Sequence, residues 1–249
     1  MDEIFSQALT NLTFEEREEH QEVIHGVKDT TIDDDALLDP ALQDLESHLA
    51  HIKGGSVYEM AESIDPAYVS ARSFRAMFLR AKEYDAKAAA EQMLLFFESK
   101  HQLFGKDKLV KDITIADLDD DDIACLNHSY SQLAGRDRSG RQVFVHIGSL
   151  TDSLGSTKTK QNLLRAEYYV IMKAVQSEET QIRGTVSVCY AIGNLKAKSN
   201  KGWSESAKLV WALPHKKAAF HLCVDDMKQY ASERPKRCAK IPSIYFKQL

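Results

Sequence analysis

Apolar residues recur at helical spacing through the first hundred positions, then give way to short runs of strand type after about residue 106. Thr13-Phe-Glu-Glu16 has the form of a capping box and predicts a helix to about Gly26. Leu38, Leu42, Leu45, Leu49 and Ile52 fall on one stripe of a helix predicted over 36–53, stopped by Gly54-Gly55. The Asp33-Asp34-Asp35 run before it suits the positive end of a helix dipole and needs no metal to explain it. Asp65-Pro66 opens the next helix, with Pro in its first turn and Phe74, Met77, Phe78 and Ala81 as its apolar stripe. Asp85 caps a further helix that turns Ala89, Met93, Phe96 and Phe97 inward, and Leu103-Phe104-Gly105 ends it.

In the second half, Asp119–Asp122 precede a helix predicted over 123–131. Asp137-Arg-Ser-Gly140 is turn chemistry feeding a strand, Val143–Ile147. Leu163–Val175 reads as a helix, Gly184 starts a strand over Thr185–Ile192, and 194–206 is a polar loop. Residues 206–213 form a helix that Pro214 stops, and Ala218–Val224 is a third strand. Strands separated by helix-length segments predict an α/β layer with crossover connections behind a helical front.

The 249 residues allow one large domain or two modest ones, and 43% apolar with 28% charged residues is ordinary for a folded protein. No apolar run approaches the roughly 20 residues that span a bilayer, and the acidic start is not a secretory signal. Cys125, Cys189, Cys223 and Cys238 are widely spaced with no CxxC pair, which points to reduced thiols in the cytoplasm. The net charge of −5 is uneven: residues 1–65 hold seventeen acids against three Lys and Arg, and residues 215–249 hold three against eight. This is not the charge of a nucleic-acid binder. The basic end suits an anionic membrane surface or a solvated tail equally, and the acidic front suits a protein partner.

Catalytic signatures are missing. Gly148 to Gly155 has neither the spacing nor the lysine of a phosphate-binding loop, and no GxGxxG follows a strand. The run Asp117–Asp122 has the wrong residues at the sixth and twelfth positions for a calcium loop. His48 with His51, and Cys125 with His128, stand three apart without a third ligand of matching spacing. No metal, no cofactor and no enzymatic activity are therefore expected.

One stretch is more specific. Residues 73–89 contain Phe78-Leu79-Arg80-Ala81, then Tyr84, Asp85 and Ala89, across a two-helix corner, and this resembles the amino-terminal signature of CRAL-TRIO lipid-binding proteins. Phe78 and Leu79 anchor one helix, Tyr84 fills the corner and Asp85 caps the next. Arg136-Asp-Arg-Ser-Gly-Arg-Gln-Val143 resembles the family's turn into its first strand, with Gln142 where Pro is usual. Glu179-Thr180-Gln181 before Gly184 is similar to the approach to the central strand, and Leu213-Pro214 followed by Phe220-His221-Leu222 resembles the strand with the apolar-His-apolar pattern. The matches come in the family's order over roughly residues 65–226.

The resemblance implies four regions: an acidic extension (1–60), a helical domain (61–105), an incomplete lipid-binding α/β domain (106–226) and a basic tail (227–249). It implies non-enzymatic binding, and transfer between membranes, of a phosphoinositide, tocopherol or retinoid in an apolar cavity over the sheet. Tyr168 and Ile171 fall at the cavity wall, and Phe220 and Leu222 on its floor. Lys216 and Lys217 fall where members carry basic residues near the lipid head or membrane, although a solvated loop end accounts for them as well. From the residues alone, Thr185, Ser187, Cys189 and Ala191 form a small-residue side of the middle strand, opposite Val186, Val188 and Tyr190. That side either leaves room for a lipid, with the Thr185 or Ser187 hydroxyl orienting its head, or packs under a helix. The chain departs from the family after Asp226: Pro235 and Pro242 interrupt a stretch carrying Lys228, Arg234, Lys236, Arg237, Lys240 and Lys247, and no amphipathic gate is visible. The competing expectation is a protein-interaction scaffold that keeps the fold without a usable cavity; an unrecognised hydrolase is a third.

Overall fold

The computed structural model describes residues 13, 15, 34–51, 55–127, 131–147, 160–191 and 208–224. The helix expected over 13–26, apart from residues 13 and 15, the loop over 194–206 and the basic tail lie outside the described residues. The fold is α/β: a helical layer packed on a mixed sheet. The front consists of α1 (Asp34–Ala50), α2 (Val57–Ile64), α3 (Pro66–Ser70), α4 (Arg72–Ala81) and α5 (Ala86–Phe104). Then follow α6 (Asp120–Asn127), β1 (Ser131–Arg136), β2 (Gln142–Ile147), α7 (Lys160–Val175), α8 (Glu178–Arg183), β3 (Thr185–Ala191) and β4 (Lys217–Val224). Residues 208–212 are also helical.

Local chemistry fixes the helix ends. Asp65 accepts from the Tyr68 amide at 3.0 Å, and Asp85 accepts from the Ala88 amide at 2.9 Å. Gly105, at φ +75°, closes α5 by donating to the His101 carbonyl at 2.8 Å. The helix expected after Asp65 is broken at Ala71 into α3 and α4. A helix that the sequence reading did not assign, α2, is capped by Ser56, whose side chain and that of Glu59 form a reciprocal capping box. The helix expected over 123–131 ends at Asn127, and Ser131 instead opens β1.

The α4–α5 corner is strained. Glu83 (φ 53°) and Tyr84 (φ 67°) are successive non-glycine residues in the left-handed region, costing about 1 kcal/mol or more each. The Tyr84 amide donating to the Leu79 carbonyl at 2.7 Å, and the packing of the Tyr84 ring on the core, hold them there. The corner sets the directions of Lys82 and Glu83.

Phe74, Phe78, Phe96 and Phe97 meet edge to face or tilted, with centroids 5.2–5.7 Å apart, and form the centre of the core. Each fully buried ring contributes about 2 to 3 kcal/mol from apolar burial. The cluster is continuous with the second half of the chain: Tyr168 of α7 packs on Phe96 and Phe104, and Phe144 of β2 belongs to the same cluster. Leu38, Leu45 and Leu49 of α1 join it from the acidic front. Arg80, buried at the end of α4, donates to Gln181 and to Glu178 at 2.5 Å each, clamping the front to α8.

The sheet order is β1-β2-β3-β4, with β1 antiparallel to β2 and the other pairs parallel. Phe144, Ser187 and Phe220 stand side by side in register. Val186, on the opposite side of β3, is also buried, so both faces are covered at this point, as parallel strands require. Gly184 (φ +85°) precedes β3, and a Cβ there would meet the Lys216 carbonyl at 3.0 Å.

Asp122 is buried beneath α7. It accepts from Asn162 Nδ2 and Arg165 Nε, both at 2.9 Å, and from the Asp119 amide at 3.1 Å. Asp122→Ala removes the buried acceptor, leaving Asn162 and Arg165 only Asp119, and is expected to lower the unfolding free energy by about 2 to 3 kcal/mol. Urea denaturation measures this, and a loss below about 0.5 kcal/mol would contradict the assigned role.

Candidate functional site

Residues 208–212 wind towards Pro214, which cannot continue a helix. The chain then turns into β4 through Pro214 and His215, both buried. Gln92 of α5 fixes this turn: its Nε2 donates to the Trp211 carbonyl at 2.9 Å and the Leu213 carbonyl at 2.8 Å. The Trp211 indole is thereby held at the foot of β4, where two ammonium groups converge on it. Lys217 Nζ lies 3.8 Å from the ring centroid, and Lys82 Nζ, from the α4–α5 corner, lies at 5.9 Å.

The electrostatics of this nook are one-sided. Burial pushes the Lys217 ammonium down from 10.5 to about 7, and the like charge of Lys82 adds to the effect. Burial also lowers Lys82, against the pull of Asp85 and Glu91. His215 is buried and lowered to about 3, by desolvation first and then by Lys217, so its ring is neutral at pH 7. His146 of β2, lowered by burial to about 4, is neutral as well. Among the described residues no carboxylate forms an ion pair with Lys217. Two half-desolvated ammonium groups thus converge on one indole.

The expected site residues divide. Lys216 and Lys217 part company: Lys216 pairs with Glu83 at 3.2 Å, while Lys217 packs on Trp211. Tyr168 and Ile171 are buried in the common core with Phe144. Thr185 is buried and its hydroxyl donates to the Lys216 carbonyl at 3.0 Å, so that hydrogen is used between strands. Ser187 and Phe220 are half-buried neighbours in register. Cys189 and Leu222 are paired on the backbone, and their side chains lie outside the described residues. Sequence reasoning missed Lys82, Trp211, His215 and Gln92 as a group. Lys82 directly follows the Phe78–Ala81 motif, and Trp211 stands three residues before Pro214, but nothing local shows that they meet.

Among the described residues no group of three His, Cys, Asp or Glu could hold a metal ion, and no helix is long and apolar enough to cross a membrane. The chain matches no protein-family model and no curated protein.

A second buried lysine shows what a fully partnered one looks like. Lys100, 1% exposed, donates to the Lys111 carbonyl at 2.6 Å and the Tyr68 hydroxyl at 3.2 Å, and lies over the Tyr68 and Phe96 rings. Burial lowers it to about 7. Lys100 and Lys217 both return to 10.5 on unfolding, so the unfolded chain binds more protons at every pH between. Stability is therefore expected to rise with pH from about 7 to about 10, where most proteins are level or falling. Thermal melts across that range test this, with Lys217→Met removing part of the slope; a flat or falling profile would overturn the assignment.

Proposed function

We propose that this protein binds one anionic lipid without altering it chemically and passes it between membrane surfaces, in the manner of the CRAL-TRIO proteins it resembles. The observation that carries this reading is the pair Lys217 and Lys82 on the Trp211 indole, with no carboxylate bonded to Lys217 among the described residues. A phosphate seated there accepts charge-assisted hydrogen bonds from both ammonium groups and replaces the hydration they have lost. Of the expected lipid classes, the phosphoinositides carry such a head, whereas tocopherol and retinoids do not. The apolar body would rest on the helical and sheet side chains and contribute roughly 25 cal/mol per Å² of apolar surface buried.

Further support comes from the order of the parts. The strained Lys82–Asp85 corner, the turn at Asp137–Gly140, the Gly184 start of β3 and the Pro214 turn into β4 occur in the sequence order of the family pattern. The reading places the protein in the cytoplasm, meeting membranes transiently.

Phosphate restores the charge on Lys217, so binding takes up a proton and strengthens as pH falls from about 9 to about 7. The test is uptake from phosphatidylcholine vesicles containing dioleoyl phosphatidate, with the lipid on the recovered protein measured by mass spectrometry. One phosphatidate per chain is expected, reduced about tenfold or more in the Lys82→Met, Lys217→Met double variant. Protein that recovers no lipid, or a double variant that loads as well as the parent, would refute the proposal and favour a scaffold role.

A further inference from the structure

Neighbours in sequence, Lys216 and Lys217 sit in opposite surroundings. Lys216 is paired with Glu83 at 3.2 Å. Lys217 Nζ lies 3.8 Å from the centroid of the Trp211 ring, and among the described residues no carboxylate is paired with it. The charge that acts on it is of its own sign: Lys82 Nζ, from the α4–α5 corner, lies 5.9 Å from the same ring. His215, and His146 of β2 which acts on His215, are both neutral at pH 7 and offset none of this. Lys217 is half-buried, so its nitrogen has lost hydration and is still reached from solvent. Desolvation and an adjacent cation are the two devices that make a lysine a nucleophile near neutral pH. With the ammonium lowered to about 7, roughly half of the chains carry a free amine at pH 7. Lys100 shares the shift but is 1% exposed, with its nitrogen engaged by the Lys111 carbonyl and the Tyr68 hydroxyl.

We propose that Lys217 is a covalent capture site for an aldehyde that carries an anionic group, with the anion held against the Lys82 ammonium. The lone pair of the Lys217 nitrogen adds to the carbonyl carbon. The carbonyl oxygen then leaves as water with both hydrogens of the amine, and a carbon–nitrogen double bond remains. No oxidant or reductant takes part, and hydrolysis reverses the step. The Trp211 face favours the protonated imine as it favours the ammonium. An anion on the aldehyde pairs with Lys82 and offsets its repulsion of that new cation, whereas a neutral aldehyde leaves the repulsion in place. Capture goes beyond lipid carriage and does not depend on it, since carriage calls for a charged Lys217 and capture for the free amine.

Two probes of similar electrophilicity separate the outcomes: para-formylbenzenesulfonate, which is anionic, and para-(methylsulfonyl)benzaldehyde, which is neutral. Each is incubated with the full chain, the imine is trapped with sodium cyanoborohydride, and peptide mass spectrometry locates the modified lysines. At pH 7 the sulfonate is expected to label Lys217 about tenfold more than Lys216, and about tenfold more than the neutral aldehyde labels Lys217. Labelling of Lys217 should level off above about pH 8, where exposed lysines in general go on gaining reactivity to about pH 10. Lys82→Met should lose the preference for the anionic probe. Unfolding in urea, which needs no variant, should even out the label between Lys217 and Lys216. Equal labelling of the two lysines in the native protein, or labelling of Lys217 without preference for the anion, would overturn the inference. Phosphatidate uptake is scored separately. Protein that takes up phosphatidate and leaves Lys217 unlabelled defeats capture alone, and protein that labels at Lys217 but takes up no lipid supports capture while defeating carriage.

Discussion

Helix α5 has to satisfy three neighbours at once, and the arrangement of the whole chain follows from how it does so. Near its start, Gln92 holds the carbonyls of Trp211 and Leu213. At its middle, Phe96 and Phe97 complete the aromatic cluster with Phe74, and Phe96 reaches Tyr168 of α7. Near its end, Lys100 ties down the segment at Lys111. The apolar contacts supply most of the energy, and the polar ones set the register. A helix shifted by one residue would lose both Gln92 bonds and turn Lys100 away from its acceptors.

Buried polar groups in this protein fall into a graded series. Asp122 and Arg80 have charged or amide partners in good geometry. Lys100 has a carbonyl, a hydroxyl and two rings. Among the described residues Lys217 has the Trp211 face and no ion pair, and Glu167 Oε2 has no hydrogen-bond partner. The first two kinds explain themselves as structure. The last two cost free energy by their burial.

Much of the framework was legible in the sequence because it is written locally. Asp85 and Gly105 mark the ends of α5, and the β-branched run after Gly184 marks β3. β1, with Ala134 and Gly135 at its centre, has no such signature; it forms because β2 offers an antiparallel edge. Helix α2 was legible as well, from its capping box and from Val57, Met60, Ala61 and Ile64 on one stripe, although it is only eight residues long. The candidate site was the least legible part. Lys82, Gln92, Trp211 and Lys217 come from four separate segments, and only the packing of α5 against the turn before β4 brings them together.

The most direct test is a crystal structure of the protein loaded with dioleoyl phosphatidate. The account expects the phosphate oxygens within about 3 Å of both Lys217 Nζ and Lys82 Nζ, with the acyl chains running inward from Trp211. A phosphate left in solvent, with Lys217 still resting on Trp211 alone, would contradict it.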